Sequence, residues 1–256
     1  MKDLILAHAG SMPSARLLRE ALVEQGFPKL LITRNPEKAI KFRYGNSAPS
    51  ICNEILNPAN FIKMTANKEI FSNFCNKIGV TAPVFSRLST VLPDSLPVLV
   101  RSTLTGQGSE GIYPINNLDE LSGIDTSWYW VPYYQLKKEY RVHVAGGRIL
   151  KVFCKQFEGE TTNGIVIRNN SNSHFSVVDT NKEGTFAKLK EVVKILNTEL
   201  LERFKNSSLF FALDIGWGEK EREYIVLEAN SAPGLNVNTA NEYASVLGPI
   251  LYNENR

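Results

Sequence analysis

Cysteine, histidine and long apolar runs are all scarce in this chain. Its three cysteines, Cys52, Cys75 and Cys154, are odd in number and far apart. They build neither a disulfide framework nor a zinc site, so reduced thiols and a cytoplasmic setting are expected. The histidines are His8, His143 and His174; no Ser–His–Asp or Cys–His spacing accompanies them, and nucleophilic hydrolysis has no support. The apolar run Leu4–Ala7 is too short for a signal-peptide core, and no run approaches the ~18 residues of a membrane span. Charge of one sign is also missing. With 29 basic and 26 acidic residues the net charge is +3, too mild to argue for nucleic acid or an acidic membrane. The connection after the first apolar run, HAGSMPS, has a single glycine and no G-x-G-x-x-G, so the dinucleotide fingerprint is absent there, and the glycine-rich TGQGSEG lacks the G-K-[ST] ending of a P-loop.

What is present is an ordinary soluble composition, 43% hydrophobic and 21% charged over 256 residues, enough for one large domain or two to three lobes. The segment ALDIGWGEKEREYIVLEANSAPGLN, residues 212–236, reads as two strands around a charged turn. Residues two apart share a strand face. Glu228 and Asn230 therefore point one way and Ile225, Leu227 and Ala229 the other. A turn centred near Glu221 sets Asp214 opposite Glu228, with Cβ atoms about 5 Å apart. Facing like charges destabilise a sheet unless neutralised, and a hard cation with oxygen ligands would neutralise them. The alternative is a solvated acidic face.

Upstream, Leu4–Ala7, a helix from Ser14 stopped by Gly26, and KLLIT form a small α/β unit. TANKEIFSNFCNKIG predicts one helix with Ile70, Phe71, Phe74 and Ile78 on its buried face. PVLVRS is a strand running into TGQGSEG, either a flexible surface hairpin or a glycine turn whose backbone N–H groups suit an anion; Arg101 beside it suits phosphate oxygens and favours the second. EYRVHV and RILKVF form a hairpin. A three-residue turn puts Glu139, Arg141 and His143 on one face with Lys151, Phe153 and Lys155; a two-residue turn puts the two sets on opposite faces. His143 is expected to be structural. NGIVIR predicts a strand, NNSNSH a turn, FAKLKEVVKILNTELLERF a long helix and NEYASVLGPILYN a closing helix.

The order VLVRSTLTGQGSEGI, EYRVHVAGG, ALDIGW, LEANSAPGLN, spanning roughly residue 60 to the end, resembles the ATP-grasp superfamily of ATP-dependent carboxylate–amine ligases. It looks most like a compact variant common in phage genomes, and shares features with D-alanine–D-alanine ligases and ribosomal-protein glutamate ligases. The resemblance implies an α/β (α+β) ATP-grasp fold in which two α+β lobes with antiparallel sheets clasp the nucleotide. The expected division is a pre-grasp unit at 1–62, a central lobe at 63–130 and a C-terminal lobe at 131–256.

It further implies ATP as cosubstrate and Mg²⁺, or Mn²⁺ in its place, on Asp214, Glu228 and Asn230. Arg101 stands where relatives carry a phosphate-binding lysine, and Lys68 is a second cationic contact, with Lys63 as its alternative. Gly106, Gln107 and Gly108 would close over the phosphates. Val131, Pro132, Tyr133 and Tyr134 would form the adenine hinge, and Glu139 would reach the ribose. Lys155 would lie near the γ-phosphate, with Arg141 among the catalytic cations and Arg168 facing the acyl phosphate. The implied partners are a carboxylate and an amine, whether amino acid, peptide, protein tail or modified nucleotide; dimers are common in relatives. Two rival readings stay open: an ATP-grasp kinase or carboxylase, and a binding module using WYWVPYYQLKK as an aromatic–basic surface for nucleic acid.

Overall fold

The computed structural model describes residues 4–7, 11–34, 42–48, 56–105, 111–159, 161, 164–167, 173–180, 186–205 and 208–253. Three sheets organise them. In the first, β1 (Leu4–Ala7) lies between β2 (Leu31–Thr33) and β3 (Phe42–Tyr44), all parallel. Helix α1 (Met12–Glu24) covers it, burying Ala15, Leu18, Ala21 and Leu22 at helical spacing.

Two helices follow where the periodicity predicts one. Asn67 separates α2 (Ala59–Ala66) from α3 (Lys68–Lys77), because its extended backbone and its side chain, which accepts from Ile70 N at 3.1 Å, cap a new helix. The new start rotates the pattern. Phe71, Ser72, Phe74 and Cys75 turn inward while Ile70 is 51% exposed.

The second sheet, in order β4–β7–β5–β6, is antiparallel and built from β4 (Ser86–Arg87), β5 (Val98–Arg101), β6 (Ile112–Ile115) and β7 (Tyr129–Pro132). Its last strand crosses the boundary expected at 130/131. Leu88, Val98, Val100, Ile115 and Trp130 form its small core. The aromatic stretch is thus the inner strand of a sheet leading into residues 133–135.

The third sheet is antiparallel in order β10–β9–β8–β11–β12. It comprises β8 (Leu136–Ala145), β9 (Arg148–Phe157), β10 (Ser173–Val177), β11 (Phe210–Gly218) and β12 (Glu223–Asn230). One face packs on α2, α3 and α4 (Phe186–Phe204) through Val142, Val144, Phe211, Leu213 and Val226. At one end of the opposite face, Ala145 and Phe210 join a second core with the first sheet, α1 and α5 (Val237–Asn253). The rest of that face carries the charged residues described below. Gly164–Ile167, expected as a strand, is a turn and one bridge residue; the strand that pairs β9 is Ser173–Val177 instead. No helix among the described residues is long and apolar enough to cross a membrane.

Candidate active site

The hairpin β8–β9 sets the site's charge, and its register turns on one residue. The turn is the two-residue Gly146-Gly147, with φ of +53° and +76°, the left-handed pair that such a turn requires. By turn length alone, Lys151 and Lys155 should face away from Glu139 and Arg141. A β-bulge reverses this. Val144 pairs Ile149 and His143 pairs Lys151, so Leu150 has no opposite number, and beyond it Arg141 faces Phe153 and Glu139 faces Lys155. Both sets therefore share a face.

The same device operates on β12. Asp214 lies opposite Glu228 as the alternation requires, but Ile215 pairs Val226, leaving Leu227 as the bulge. Val226 rather than Leu227 enters the core, and Leu227 lines the cavity. The alternation expected for Ile225 and Leu227 is corrected accordingly.

These strands, the second sheet, α2–α3 and the first unit enclose a cavity of about 600 Å³, within the range of small-molecule sites. Lys68, Arg101, Val131, Tyr133, Tyr134, Glu139, Arg141, Lys155, Asp214, Glu228 and Asn230 all line it. Gly106, Gln107, Gly108 and Arg168 lie outside the described residues. Lys63, on α2, is not among its lining; Lys151 points to the far end of the sheet, 2.8 Å from Glu242.

Three ion pairs occupy the charged part. Arg141 grips Asp214 with two bonds of 2.7 Å, Nε to Oδ1 and Nη2 to Oδ2, and its guanidinium stacks 4.8 Å from the Phe175 ring centre. Lys155 donates to Glu139 at 2.9 Å, both side chains 7% exposed. Lys68 Nζ lies 2.9 Å from Glu228 Oε2. Burial raises the Asp214 pKa, but the Arg141 charge and hydrogen bond, with Lys155 beyond, hold it below the carboxylate range. Burial lowers that of Arg141, and Asp214, Glu228 and Glu139 overcome the effect.

Arg101 differs from these cations. Its Nε is buried with no hydrogen-bond partner, and burial lowers its pKa against the pull of Glu228. Four cations, Lys68, Arg101, Arg141 and Lys155, thus meet three carboxylates in the described lining. The surplus positive charge suits a polyanion.

Asp214, Glu228 and Asn230 offer oxygen donors only, on neighbouring strand positions, the chemistry of a hard cation. Their contacts with Arg141, Lys68 and Ala232 N, the last at 2.8 Å from Asn230 Oδ1, leave each oxygen a further lone pair. No group of three His, Cys, Asp or Glu among the described residues would hold a metal by itself. The two carboxylates and one amide oxygen fit the needs of Mg²⁺, which takes one or two carboxylates plus substrate phosphates.

His143 is buried at the sheet's far end, its Nδ1 3.2 Å from the Tyr243 hydroxyl. That hydroxyl donates to Phe211 O at 3.0 Å, so the imidazole donates to it. Burial, and then the Arg141 charge, push the pKa down to about 3. Sequence reasoning missed the wall contributed by the first unit and the turn after β12. Ser11, Ser14, Gly45, Ala232 and Gly234 line the cavity there, and small neutral residues carry no local signal of a site.

The arrangement, with antiparallel sheets on two sides of a cationic cavity, is the ATP-grasp fold. D-cycloserine synthetase DcsG matches it at a TM-score of 0.70 and 15% identity, over 97% of this chain and 99% of that one. D-alanine–D-alanine ligase from Bacillus anthracis complexed with ATP matches at 0.63 and 11%, over 97% and 94%. The macrocyclase MdnC from Microcystis aeruginosa, bound with its precursor peptide, matches at 0.62 and 14%, over 96% and 99%. No protein-family model matches the sequence, and no curated protein does.

Proposed function

We propose that the protein is an ATP-dependent carboxylate–amine ligase that forms an amide bond through an acyl phosphate and releases ADP and phosphate. The observation that carries the proposal is Arg101, a buried guanidinium whose Nε has no hydrogen-bond partner, beside the Lys68–Glu228 and Arg141–Asp214 pairs. Around the hinge segment the same cavity is lined by the apolar Phe85, Leu99, Val131 and Leu136. A purine fits the apolar part and a polyphosphate the cationic part. The wall of Ser11, Ser14, Gly45 and Ala232 receives the carboxylate substrate, an amino acid or peptide.

In this reading Asp214, Glu228 and Asn230 would hold Mg²⁺ or Mn²⁺, which would supply charge neutralisation at the phosphate oxygens. Arg101 and Lys68 bind and orient the phosphates, and Lys155 steadies the charge that develops on the γ-phosphoryl group. The substrate carboxylate oxygen bonds to the γ-phosphorus as the bond to the β–γ bridging oxygen breaks. The amine nitrogen then bonds to the acyl carbon, phosphate leaves, and the ammonium proton passes to solvent. The protein contributes position and electrostatics rather than a covalent partner. A wall around the acyl phosphate keeps water from hydrolysing it.

The test is ADP release across a panel of carboxylates and amines, with an isotopic oxygen label in the carboxylate. Label in the released phosphate, and loss of ADP formation by at least about a hundredfold in Glu228→Ala, are expected. A stable phosphorylated product, or near-normal ADP formation by the variant, would overturn the reading.

A further inference from the structure

The three cavity ion pairs are not equivalent. Arg141 is fixed to Asp214 by two bonds and stacked on Phe175, and Lys155 is buried with Glu139. The third pair is built otherwise. Lys68 engages Glu228 at one oxygen, Oε2, and the Glu228 side chain is 35% exposed. Lys68 is also the first residue of α3, immediately after the Asn67 cap. A cation there faces the positive end of the helix dipole, which disfavours it. Local helix stability therefore does not explain a lysine at this place, whereas a carboxylate on the neighbouring strand does. The backbone N–H of Lys68 is bonded to Leu104 O at 3.2 Å, which fixes the start of the side chain beside the cavity.

Resting on the metal site of the proposed function, we infer that Lys68 is a built-in counter-ion: it covers Glu228 against free divalent cations until a polyphosphate draws the ammonium away. The phosphate oxygens and the Glu228 carboxylate compete for one ammonium. When the phosphates win, the carboxylate is left uncovered beside them, where the dication has ligands from both. Metal and polyphosphate then strengthen each other's binding, and by linkage they do so by the same factor in either order. Arg101 and Arg141 also act on Glu228, so removing Lys68 alone leaves the site cationic and capable of phosphate binding.

The test follows Mn²⁺ by water-proton relaxation enhancement, which separates ion held on the protein from ion held by tripolyphosphate in solution. Wild type is expected to bind Mn²⁺ alone weakly, and at least roughly tenfold more tightly with inorganic tripolyphosphate. Lys68→Met should bind Mn²⁺ alone about tenfold more tightly than wild type while binding tripolyphosphate alone more weakly, two changes of opposite sign. Lys68→Arg, which keeps the charge, should restore the coupling and controls for folding. Unchanged binding of Mn²⁺ alone to Lys68→Met overturns the counter-ion role and leaves the ligase reading standing. Glu228→Gln that binds Mn²⁺ with tripolyphosphate as wild type does would instead remove the metal site, and the counter-ion with it.

Discussion

Burial alone would push the Asp214 carboxyl toward neutrality, and Arg141 prevents it with two short bonds. No such partner rescues the charged form of His143, which sits against Tyr243 and Phe153 with Arg141 on its own strand and Lys151 opposite. Its pKa is about 3 in the fold, against about 6.5 in the unfolded chain. Between those values the unfolded chain binds a proton that the folded one refuses. Stability from this residue is therefore complete above about pH 6.5 and is lost as pH falls toward the folded value. Acidification from about pH 6.5 to about 4.5 should cost wild type about 2–3 kcal/mol through this group. In His143→Phe that share of the slope should vanish, since Tyr243 keeps its bond to Phe211 O. Urea unfolding at the two pH values measures it; parallel losses in both proteins would show that His143 is not the group responsible.

At the scale of elements, counting from a turn at Glu221 made the opposition of Asp214 and Glu228 readable, and it holds because the Leu227 bulge makes up the half position by which the turn between Gly218 and Glu223 is displaced. Alternation failed for Ile225 and Leu227, and around Leu150 it left both facings open, because one inserted residue inverts every facing that follows. Nothing local in RILKVF announces a bulge, since Leu150 is as good a strand residue as its neighbours; the need to bring Lys155 over Glu139 is a property of the whole sheet. The partnership of Lys68 with Glu228 was equally closed to sequence, since 160 positions separate the two residues. The docking of the first unit on the turn after β12 was hidden for the same reason. There Tyr44 donates to Pro233 O at 2.5 Å, Leu235 N donates to Ser14 Oγ at 3.1 Å, and Gly45 lies against Ala232. A Cβ on Gly45 would come within 2.6 Å of the Ala232 Cβ, at a φ of +72°. Gly45→Ala should lose roughly 2 kcal/mol in urea unfolding, part from the left-handed backbone and part from the contact. Adding Ala232→Gly should return the contact part alone. A single variant as stable as wild type would mean that this seam gives way easily.

Across the whole molecule, the two larger cores are joined through single strands. Val144 and Phe211 enter the core under α2–α4, while their neighbours Ala145 and Phe210 enter the core shared with the first sheet and α5. Neither core can open without disturbing β8 and β11, so these should unfold as one cooperative body. Among the described residues, the four-stranded sheet has its own small cluster of buried residues, Leu88, Val98, Val100, Ile115 and Trp130. A unit with so little buried apolar area opens at lower free energy than the body it is attached to. Native-state hydrogen exchange should therefore find the amides of β5 and β7 exchanging through a cheaper opening than those of β8 and β11. A nucleotide held between Arg101 on β5, the hinge after β7, and Glu228 on β12 binds only while both bodies are closed. ATP with Mg²⁺ at about a hundred times its Kd should then raise the opening free energy of β5 and β7 by about 2.7 kcal/mol. Equal protection in all four strands without ligand would refute the division. Protection gained by β8 and β11 alone would place the ligand on the C-terminal sheet without Arg101, and would require a different phosphate site.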